Sequence, residues 1–552
     1  MKKIPKSPNE NLKCLLISPR FSAFSFWNYV DAAKTTGAKT PSPPLGLLTV
    51  AALLPQNWEF KLLDLNCVDF SQELWEWADL VCVGGMLPQQ EGIVEIIERA
   101  NRDGKYVAVG GADPTSQPSL YDSADVLIVG EGEELIPHWI KEWEKGQPCG
   151  VFREQGKPDL TKSPVPRFDL IDFKDYVLVG VQYSRGCPFN CEFCDIIELF
   201  GRKPRIKTPK QFCNELTRLK ELGYSGMVDI VDDNFIGIKR NIKRYLLPAL
   251  INWNKKNKYP FFYSTEASMN LADDTQLLEL MSTAEFRVVF MGIETPDPEL
   301  LLKTQKSQNT IRPIVDRVKR CYEYGIIVTA GFIVGFDGEK SGLDKSMVAL
   351  IEDTGINMAM VGLLVALPNT QLTRRLHKEG RLLDFQGNIV NPSQSPTLAA
   401  RAKGSSLEVV DQTVSGLNFI TTRPRSEIIK EYQSVIEQIY SPKSYFDRTL
   451  KTCKKIRGNS RHLPRPFELK RNLRGLVNVC INLSKEPSTR WLFWRNFFLL
   501  LFRGPLAFEH SMRIMGMYLH FKKQSSYLLN KIENNQHSYA DQNSIKDLQE
   551  AT

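Results

Sequence analysis

Two kinds of apolar pattern alternate along the first 150 residues. Short apolar, β-rich runs stand at KCLLIS, EFKLLDLN, DLVCVGG, YVAVGGA and DVLIVGE. Helix-like stretches lie between them, among them LGLLTVAALLP and GIVEIIERANRDG. Strands that alternate with helices predict a parallel, doubly wound, Rossmann-like α/β sheet with both faces covered.

A Pro-rich connector, KPDLTKSPVPRFDLIDF, leads into a second α/β repeat. Its strand candidates are YVLVGVQYS, GMVDIVDD, PFFYSTEA, FRVVFMGIE, GIIVTAGFIVGF and MAMVGLLVAL, separated by helical patterns such as PKQFCNELTRLKELG. Six strand–helix units predict a full or partial (β/α) barrel with its chemistry on the loops after the strand C-terminal ends. Beyond residue 383 the chain reads as a polar linker and then a basic α-helical region. The expected organisation is 1–150 as the first α/β domain, 151–175 as linker, 176–383 as barrel and 384–552 as linker and C-terminal helices.

Composition narrows the class. A chain of 552 residues is too long for one ordinary core, and its apolar and charged fractions of 42% and 24% are those of a globular protein rather than a disordered one. The basic N-terminus lacks the apolar stretch of a secretory signal, and no run is long and uncharged enough to span a bilayer. Eleven cysteines, an odd number thinly spread, fit reduced thiols in a cytoplasm. Charge is uneven. Lys443 to Lys523 holds eighteen Lys/Arg against four Asp/Glu, a local +14, while the remaining 53 basic and 59 acidic residues give −6.

Three of the cysteines, Cys187, Cys191 and Cys194, fall within eight residues directly after the first strand of the second repeat. Thiolates suit soft metals and iron–sulfur clusters. A structural zinc needs a fourth Cys or His at short spacing, and none follows; the next cysteine, Cys213, lies inside a helical pattern. Three ligands on one loop can hold a four-iron cluster with one iron left open. Glycines gather at the strand ends of the first unit: Gly84, Gly85, Gly110, Gly111, Gly130 and Gly132. They either make tight turns or let backbone approach a bulky ligand. No G-x-G-x-x-G follows the first strand, which argues against a dinucleotide site.

The C-x-x-x-C-x-x-C loop, with Phe193 before its last cysteine, resembles the radical S-adenosylmethionine (SAM) superfamily. Further matches follow in order: VDDNF, STEAS, MGIET, AGFIVGF and ALPNT. The resemblance implies that Cys187, Cys191 and Cys194 bind a [4Fe-4S] cluster. It implies SAM contacts at Phe193, Asp232, Asp233, Asn234, Glu266, Glu294, Gly331, Gly335 and Pro368. A doubly wound domain before such a barrel is similar to the cobalamin-binding subclass. The corrin would then lie over Ser18, Pro19, Arg20, Gly84, Gly85, Met86, Gly110, Gly111, Gly130 and Glu131. The first loop, ISPRFSAFSFW, holds no histidine, so cobalt would take no protein imidazole.

Within that subclass, SFWNY, PPLGLLTVAALLP, GGMLPQQ, CDIIELFGRKPR, IVDDNFIG and ALPNTQLTRRL resemble the hopanoid C-2 methylase group. The resemblance implies a methyltransferase that uses SAM and methylcobalamin to methylate an unactivated carbon of a hydrophobic polycyclic substrate. Two other readings stand beside it: an enzyme acting on a tetrapyrrole or another large apolar metabolite, and a non-enzymatic cobalamin-binding protein. A flavodoxin- or ferredoxin-type electron donor is the expected partner, with no role for nucleic acid. WLFWRNFFLLLF (491–502), with Arg495, Arg503 and flanking lysines, suits either a helix lying at the inner face of the cytoplasmic membrane or a buried helix capping the barrel.

Overall fold

The five apolar runs of the first unit become parallel strands β1 (Lys13–Ser18), β2 (Glu59–Asp64), β3 (Leu80–Gly84), β4 (Tyr106–Gly110) and β5 (Val126–Val129). Their spatial order is β2-β1-β3-β4-β5, extended on one edge by β6 (Gly150–Arg153). β6 buries only Phe152, so it carries no apolar run for the sequence to display. The computed structural model describes residues 4–22, 25, 28–384, 387–392, 413, 416–458 and 460–534. Phe26 and Trp27 of the SFWNY stretch lie outside the described residues.

Helices α2 (Leu45–Leu53), α3 (Gln90–Asp103) and α4 (Gly132–Glu144) cover this sheet, whereas α1 (Val30–Thr36) packs against the C-terminal helical region. In α3 the buried Ile93, Val94, Ile96, Ile97 and Ala100 repeat at helical spacing, and Gly104 in the left-handed conformation ends the helix. The sheet is covered on both faces, as a parallel sheet requires. One core includes Leu16, Leu47 and Trp139, the other Leu15, Ile93 and Val107.

The second repeat forms β7 (Val179–Val181), β8 (Gly226–Ile230), β9 (Phe261–Glu266), β10 (Phe286–Glu294), β11 (Ile327–Val334) and β12 (Ala359–Leu363). They pair in chain order, all parallel, and β7 and β12 remain edges, so the barrel is open and partial. Its crossover helices are α5 (Pro209–Glu221), α6 (Leu247–Lys256), α7 (Thr275–Thr283), α8 (Ile314–Glu323) and α9 (Leu343–Thr354). α5 starts at a capping box of Thr208 and Gln211 with Pro209 at its first position. A bulge between Gly292 and Glu294 breaks the β10–β11 register and leaves Glu294 at φ 69°.

After a short helix at Gln371–Lys378, five further helices follow among the described residues: α10 (Arg425–Ile439), α11 (Pro442–Cys453), α12 (Pro466–Lys485), α13 (Pro487–Leu501) and α14 (Pro505–Asn534). α10 lies along α9 and the edge strand β12, where Tyr432 donates to the Val361 carbonyl at 3.3 Å, and the others pack under the N-terminal ends of the barrel strands. Arg287, at the start of β10, pairs with Glu509 at 3.1 Å, Thr449 donates to Asn357 at 3.1 Å, and Ser225 donates to Glu468 at 3.0 Å. One hydrophobic core runs from α2 (Leu48) through the barrel (Val289) to Phe493, Leu500 and Met515. The aromatic block at 491–502 is therefore divided. Phe493, Asn496 and Leu500 face inward, while Trp491, Phe498 and Phe502 face solvent.

His462 locks this base. Its Nε2 lies 2.8 Å from Glu468, and the two side chains are only 3% and 2% exposed. Burial alone would raise the Glu468 carboxyl pKa, but the hydrogen bond and charge of His462 hold it below the ordinary value. Removing one partner of a buried pair strands the other, at about 3–5 kcal/mol. His462→Ala should therefore lower the free energy of chemical unfolding by about 3 kcal/mol, while Lys470→Ala on the exposed side of α12 leaves it unchanged. An unshifted midpoint for His462→Ala would show that the pair is not buried in solution.

Candidate active site

The two α/β units meet at the C-terminal ends of their strands, across a charged contact. Arg185, in a short strand Ser184–Arg185 that pairs antiparallel with Arg205–Ile206, lies 2.8 Å from Glu131 and 2.6 Å from Glu133, and Arg205 reaches Glu131 at 2.6 Å. Burial disfavours the Arg185 charge, but Glu133 and Glu131 raise its pKa above the ordinary value. Burial likewise penalises the Glu133 carboxylate, which the Arg185 charge nonetheless holds below its ordinary range. On the other side of the junction, Asn369 donates to the Ser116 carbonyl at 2.8 Å.

Between the units lies a cavity of about 800 Å³. Ser18, Gly84, Gly85, Met86, Gly110, Gly111, Gly130 and Glu131 line it from the first unit. Asp229, Asp232, Asp233, Glu266 and Pro368 line it from the barrel, and Leu45, Leu53, Ile128, Ile136, Trp139 and Leu199 add apolar surface. Glycine is required on this floor by packing. A Cβ on Gly84 would stand 2.5 Å from the Gly110 carbonyl oxygen, and Gly111, at φ 112°, would press a Cβ to 2.8 Å from the Gly85 oxygen. Adjacent strand ends touch there, so no side chain from these glycines occupies the cavity.

The barrel side is acidic. Asp232 accepts from the backbone N–H groups of Tyr183 (2.8 Å) and Ser184 (2.9 Å) and from the Ser184 hydroxyl (2.6 Å), which holds the end of β7 in place. Asp233 accepts from the Gly186 N–H at 2.7 Å. Glu266 has no ion pair among the described residues. Burial pushes the carboxyls of Asp232, Asp233 and Glu266 up to about 6, 7 and 8, and Asp229, Asp233 and Asp232 add repulsion at Glu266. These acids lack enough positive charge around them, a setting that favours a cationic ligand.

The cysteine loop runs beside this cavity without lining it. Gly186, at φ 93°, lets the loop pass the Gly201 carbonyl, where a Cβ would come within 2.7 Å. Burial raises the pKa of all three thiols. Asn234 donates from Nδ2 to Cys187 Sγ at 3.8 Å, and Gln308 from Nε2 to Cys191 Sγ at 4.0 Å. Lys306 pairs with Glu294, lies 5.6 Å over the Phe193 ring, and has its charge favoured by Cys191 and Cys194. Among the described residues no three His, Cys, Asp or Glu side chains converge on a single ion position.

Several residues expected to contact the cofactors do not line this cavity. Arg20 turns away to the Leu65 carbonyl (2.9 Å) and an exposed pair with Asp69, and the Pro19 carbonyl accepts from Asn66 and Gln89, so neither residue lines the cavity. Glu294 is engaged by Lys306. Gly331 packs against the Phe290 ring, and Gly335 packs against Leu417, whose Cδ2 would lie 2.4 Å from an added Cβ. Phe193 meets Phe336 edge-on at 5.6 Å. Sequence reasoning passed over Asp229, Arg185, Lys306 and Gln308. An acid inside the strand run GMVDIVDD and a cation next to the cysteine loop were signals for the first two. Lys306 and Gln308 come from a distant turn and had none.

Comparison with known proteins agrees with this architecture. The Radical SAM superfamily profile matches residues 181–347, and a domain of unknown function, DUF4070, matches 370–534. The solved cobalamin-dependent SAM radical enzyme OxsB with aqua-cobalamin bound superposes with a TM-score of 0.57 over 95% of this chain and 81% of that one, at 14% identity. The radical SAM methyltransferase TsrM from Kitasatospora setae, with cobalamin and a [4Fe-4S] cluster bound, gives 0.52 over 67% of this chain and 78% of that one, at 18% identity. In sequence, an uncharacterised methyltransferase of Synechocystis is 42% identical over 92% of this chain and 91% of its own length. The hopanoid C-2 methylase of Rhodopseudomonas palustris is 32% identical over 87% of each. With identity sustained over nearly the whole of both relatives, the chain belongs to the cobalamin-binding radical SAM family of carbon methyltransferases, in the group that includes the hopanoid C-2 methylase.

Proposed function

We propose that this methyltransferase acts on an unactivated carbon of a hydrophobic polycyclic substrate, with C-2 methylation of a hopanoid as the specific reaction. The observation that carries the reading is the shared cavity. One space is bounded by the glycine floor of the first unit, by the acids of the barrel and by an apolar wall. A predominantly apolar pocket with a few placed polar groups is the usual form of a site for a large apolar ligand. A second substrate class, a tetrapyrrole, is favoured by 22% identity over 70% of this chain to the bacteriochlorophyllide d C-12(1)-methyltransferase of Chlorobaculum tepidum. Lipid profiling of a deletion strain separates the two. The hopanoid reading expects the ring-methylated hopanoids to vanish and the unmethylated ones to accumulate, and unchanged hopanoids would overturn it.

The residues present fit the cofactors the family uses. Three thiols on one loop, Cys191 buried and Cys187 and Cys194 partly so, suit the soft iron of a [4Fe-4S] cluster. Asp233 and Glu266 suit the cationic end of SAM, and the bare floor at Gly84–Gly85 and Gly110–Gly111 suits the flat face of a corrin. When bound, these groups supply the electron, the hydrogen-abstracting species and the methyl donor that side chains cannot provide. The chain's own work is placement. Asp232 fixes the strand end that carries the cysteine loop, and Arg185 with Glu131 and Glu133 clamps the two walls at one separation. Leu45, Leu53, Ile136 and Trp139 keep water from the reacting carbon. A flavodoxin- or ferredoxin-type protein would deliver electrons, and peripheral membrane contact would keep the enzyme near a lipid substrate.

Anaerobic reconstitution tests the thiols. The Cys187→Ala, Cys191→Ala, Cys194→Ala triple variant should take up no cluster iron and show no cluster absorbance, whereas Cys213→Ala reconstitutes normally. Full loading of the triple variant would remove the assignment.

Glu266 gives a prediction with opposite signs for binding and stability. Its carboxyl moves from an ordinary 4.5 to about 8 on folding. The folded state therefore holds the proton more tightly, and stability falls as pH rises from about 4.5 to about 8. Glu266→Gln should match the native protein's unfolding midpoint below pH 4.5 and exceed it increasingly toward pH 8. Loss of the charge should weaken SAM binding about tenfold, as measured by calorimetry at pH 8. A variant that is less stable at pH 8, or that binds SAM as well, would contradict the role.

A further inference from the structure

The C-terminal helices carry a surface that the reaction does not use. α12 turns Leu469, Leu473, Val477 and Ile481 into solvent at 58, 60, 47 and 45% exposure, and their four-residue spacing lines them along one face. The opposite face is anchored. Gly475 lies against Thr36, Asn478 donates to the Thr35 carbonyl at 2.8 Å, Arg471 donates to the Tyr176 carbonyl at 3.2 Å, and Val479 and Leu483 are buried. The aliphatic row is thus presented outward by a helix whose inner side is already occupied. Beside it, α13 and the residue after it expose Trp491 (66%), Phe498 (58%) and Phe502 (87%).

The charges around this apolar face are of one sign. Arg465, Lys470, Arg474, Lys485, Arg490 and Arg503 are all exposed. The acids that could neutralise them are diverted. Glu468, the acid of α12, points inward to His462 and Ser225, and Glu486, between the helices, is bound by Lys522. α13 contains no Asp or Glu. Arg495, which the sequence offered as part of such a surface, is instead paired with Asp447 at 2.6 Å. Trp494 is half-buried, donating to the Ser484 hydroxyl at 3.0 Å.

We propose that the outer face of α12 and α13 docks the enzyme on an anionic lipid bilayer. An apolar row rimmed by cations and free of exposed acids matches a negatively charged interface, where aliphatic and aromatic side chains sink among the acyl chains and Lys/Arg meet the headgroups. A second copy of the chain is disfavoured as occupant, because it would set the same cations against one another. No helix among the described residues is long and apolar enough to cross a membrane, so the attachment is to the surface. The face belongs to the helices under the N-terminal strand ends, whereas the cavity is bounded by the C-terminal ends. Docking therefore tethers the enzyme and is separate from the chemistry of the cavity, and its test needs no turnover.

Co-sedimentation of the full chain with vesicles of phosphatidylglycerol and phosphatidylcholine in equal parts reads this directly. Binding is expected at low salt, with a loss of about tenfold or more in high salt and on pure phosphatidylcholine. Leu473→Glu with Val477→Glu should weaken vesicle binding at least about tenfold without moving the unfolding midpoint, since both side chains face solvent. Lys470→Gln with Lys485→Gln removes charge alone, should weaken binding several-fold, and decides the matter if the first variant fails to fold. The proposal is overturned if the native chain ignores anionic vesicles at low salt, or if both double variants bind as well as it does. It is also overturned if light scattering finds a dimer that Leu473→Glu with Val477→Glu makes monomeric, which would give the face to a second copy.

Discussion

Arg185 is the residue on which the rest of the site depends. It follows β7, two positions before the first cysteine of the loop, and its charge is met by Glu131 and Glu133 of the other α/β unit. Its side chain is 13% exposed and theirs are 3% and 2%, so water replaces none of these partners. A buried pair of this kind contributes little net stability, but breaking it is costly because the surviving charge is stranded. It therefore acts as a constraint on geometry more than as a source of binding energy. Glu131 directly follows Gly130 on the glycine floor, so one ion-pair network ties the cysteine loop of the barrel to the strand ends of the first sheet. The width of the cavity is set where that network closes.

Facing that clamp, the barrel concentrates carboxyls it does not neutralise. Asp229, Asp232, Asp233 and Glu266 share one wall, and burial raises the pKa of each. A fold selected for stability alone would not hold them there, and rules of this kind are broken mainly at functional sites. The compensation lies at the other end of the strands. The core that begins at Leu48 continues unbroken through the barrel into α13 and α14, so the helical region doubles as the barrel's floor. The open edge at β12 is covered separately by α10, whose Tyr432 donates to the Val361 carbonyl at 3.3 Å.

What could be read in the sequence was local. Strand runs such as FRVVFMGIE fall on β10 residue for residue, because a buried parallel strand shows itself as a continuous apolar run. The cysteine loop was legible for the same reason, since its three thiols are neighbours in the chain. Contacts made by folding were not. Gln308 reaches Cys191, and Lys306 reaches Phe193 and Glu294, from a turn held by Arg317, which donates to the Gln308 carbonyl at 3.0 Å and pairs with Asp273. Nothing near residue 306 announces that company. Gly335 shows the same limit, because its packing against Leu417, more than eighty residues on in the chain, is visible only in the fold. The row Leu469, Leu473, Val477 and Ile481 escaped notice because its spacing is that of any core-facing helix, and only the anchored inner side shows that the row faces out.

The charge asymmetry of the chain takes on meaning from strand direction. In a parallel barrel every strand begins at one end and finishes at the other, so residues at the two ends can be selected independently. Acids collect at and just beyond the strand ends, where Asp232, Asp233 and Glu266 line the cavity. The +14 segment forms the helices beneath the strand starts, and there its few acids are paired: Glu468 with His462, Glu509 with Arg287 and Arg513, Glu486 with Lys522 and Asp447 with Arg495. Those pairings neutralise the interior contacts of the helices and leave the cations on their outer face unmatched. Were the basic residues present only to balance the acidic wall, they would lie within reach of it. Instead the barrel separates them from it, and the positive charge is directed away from the chemistry.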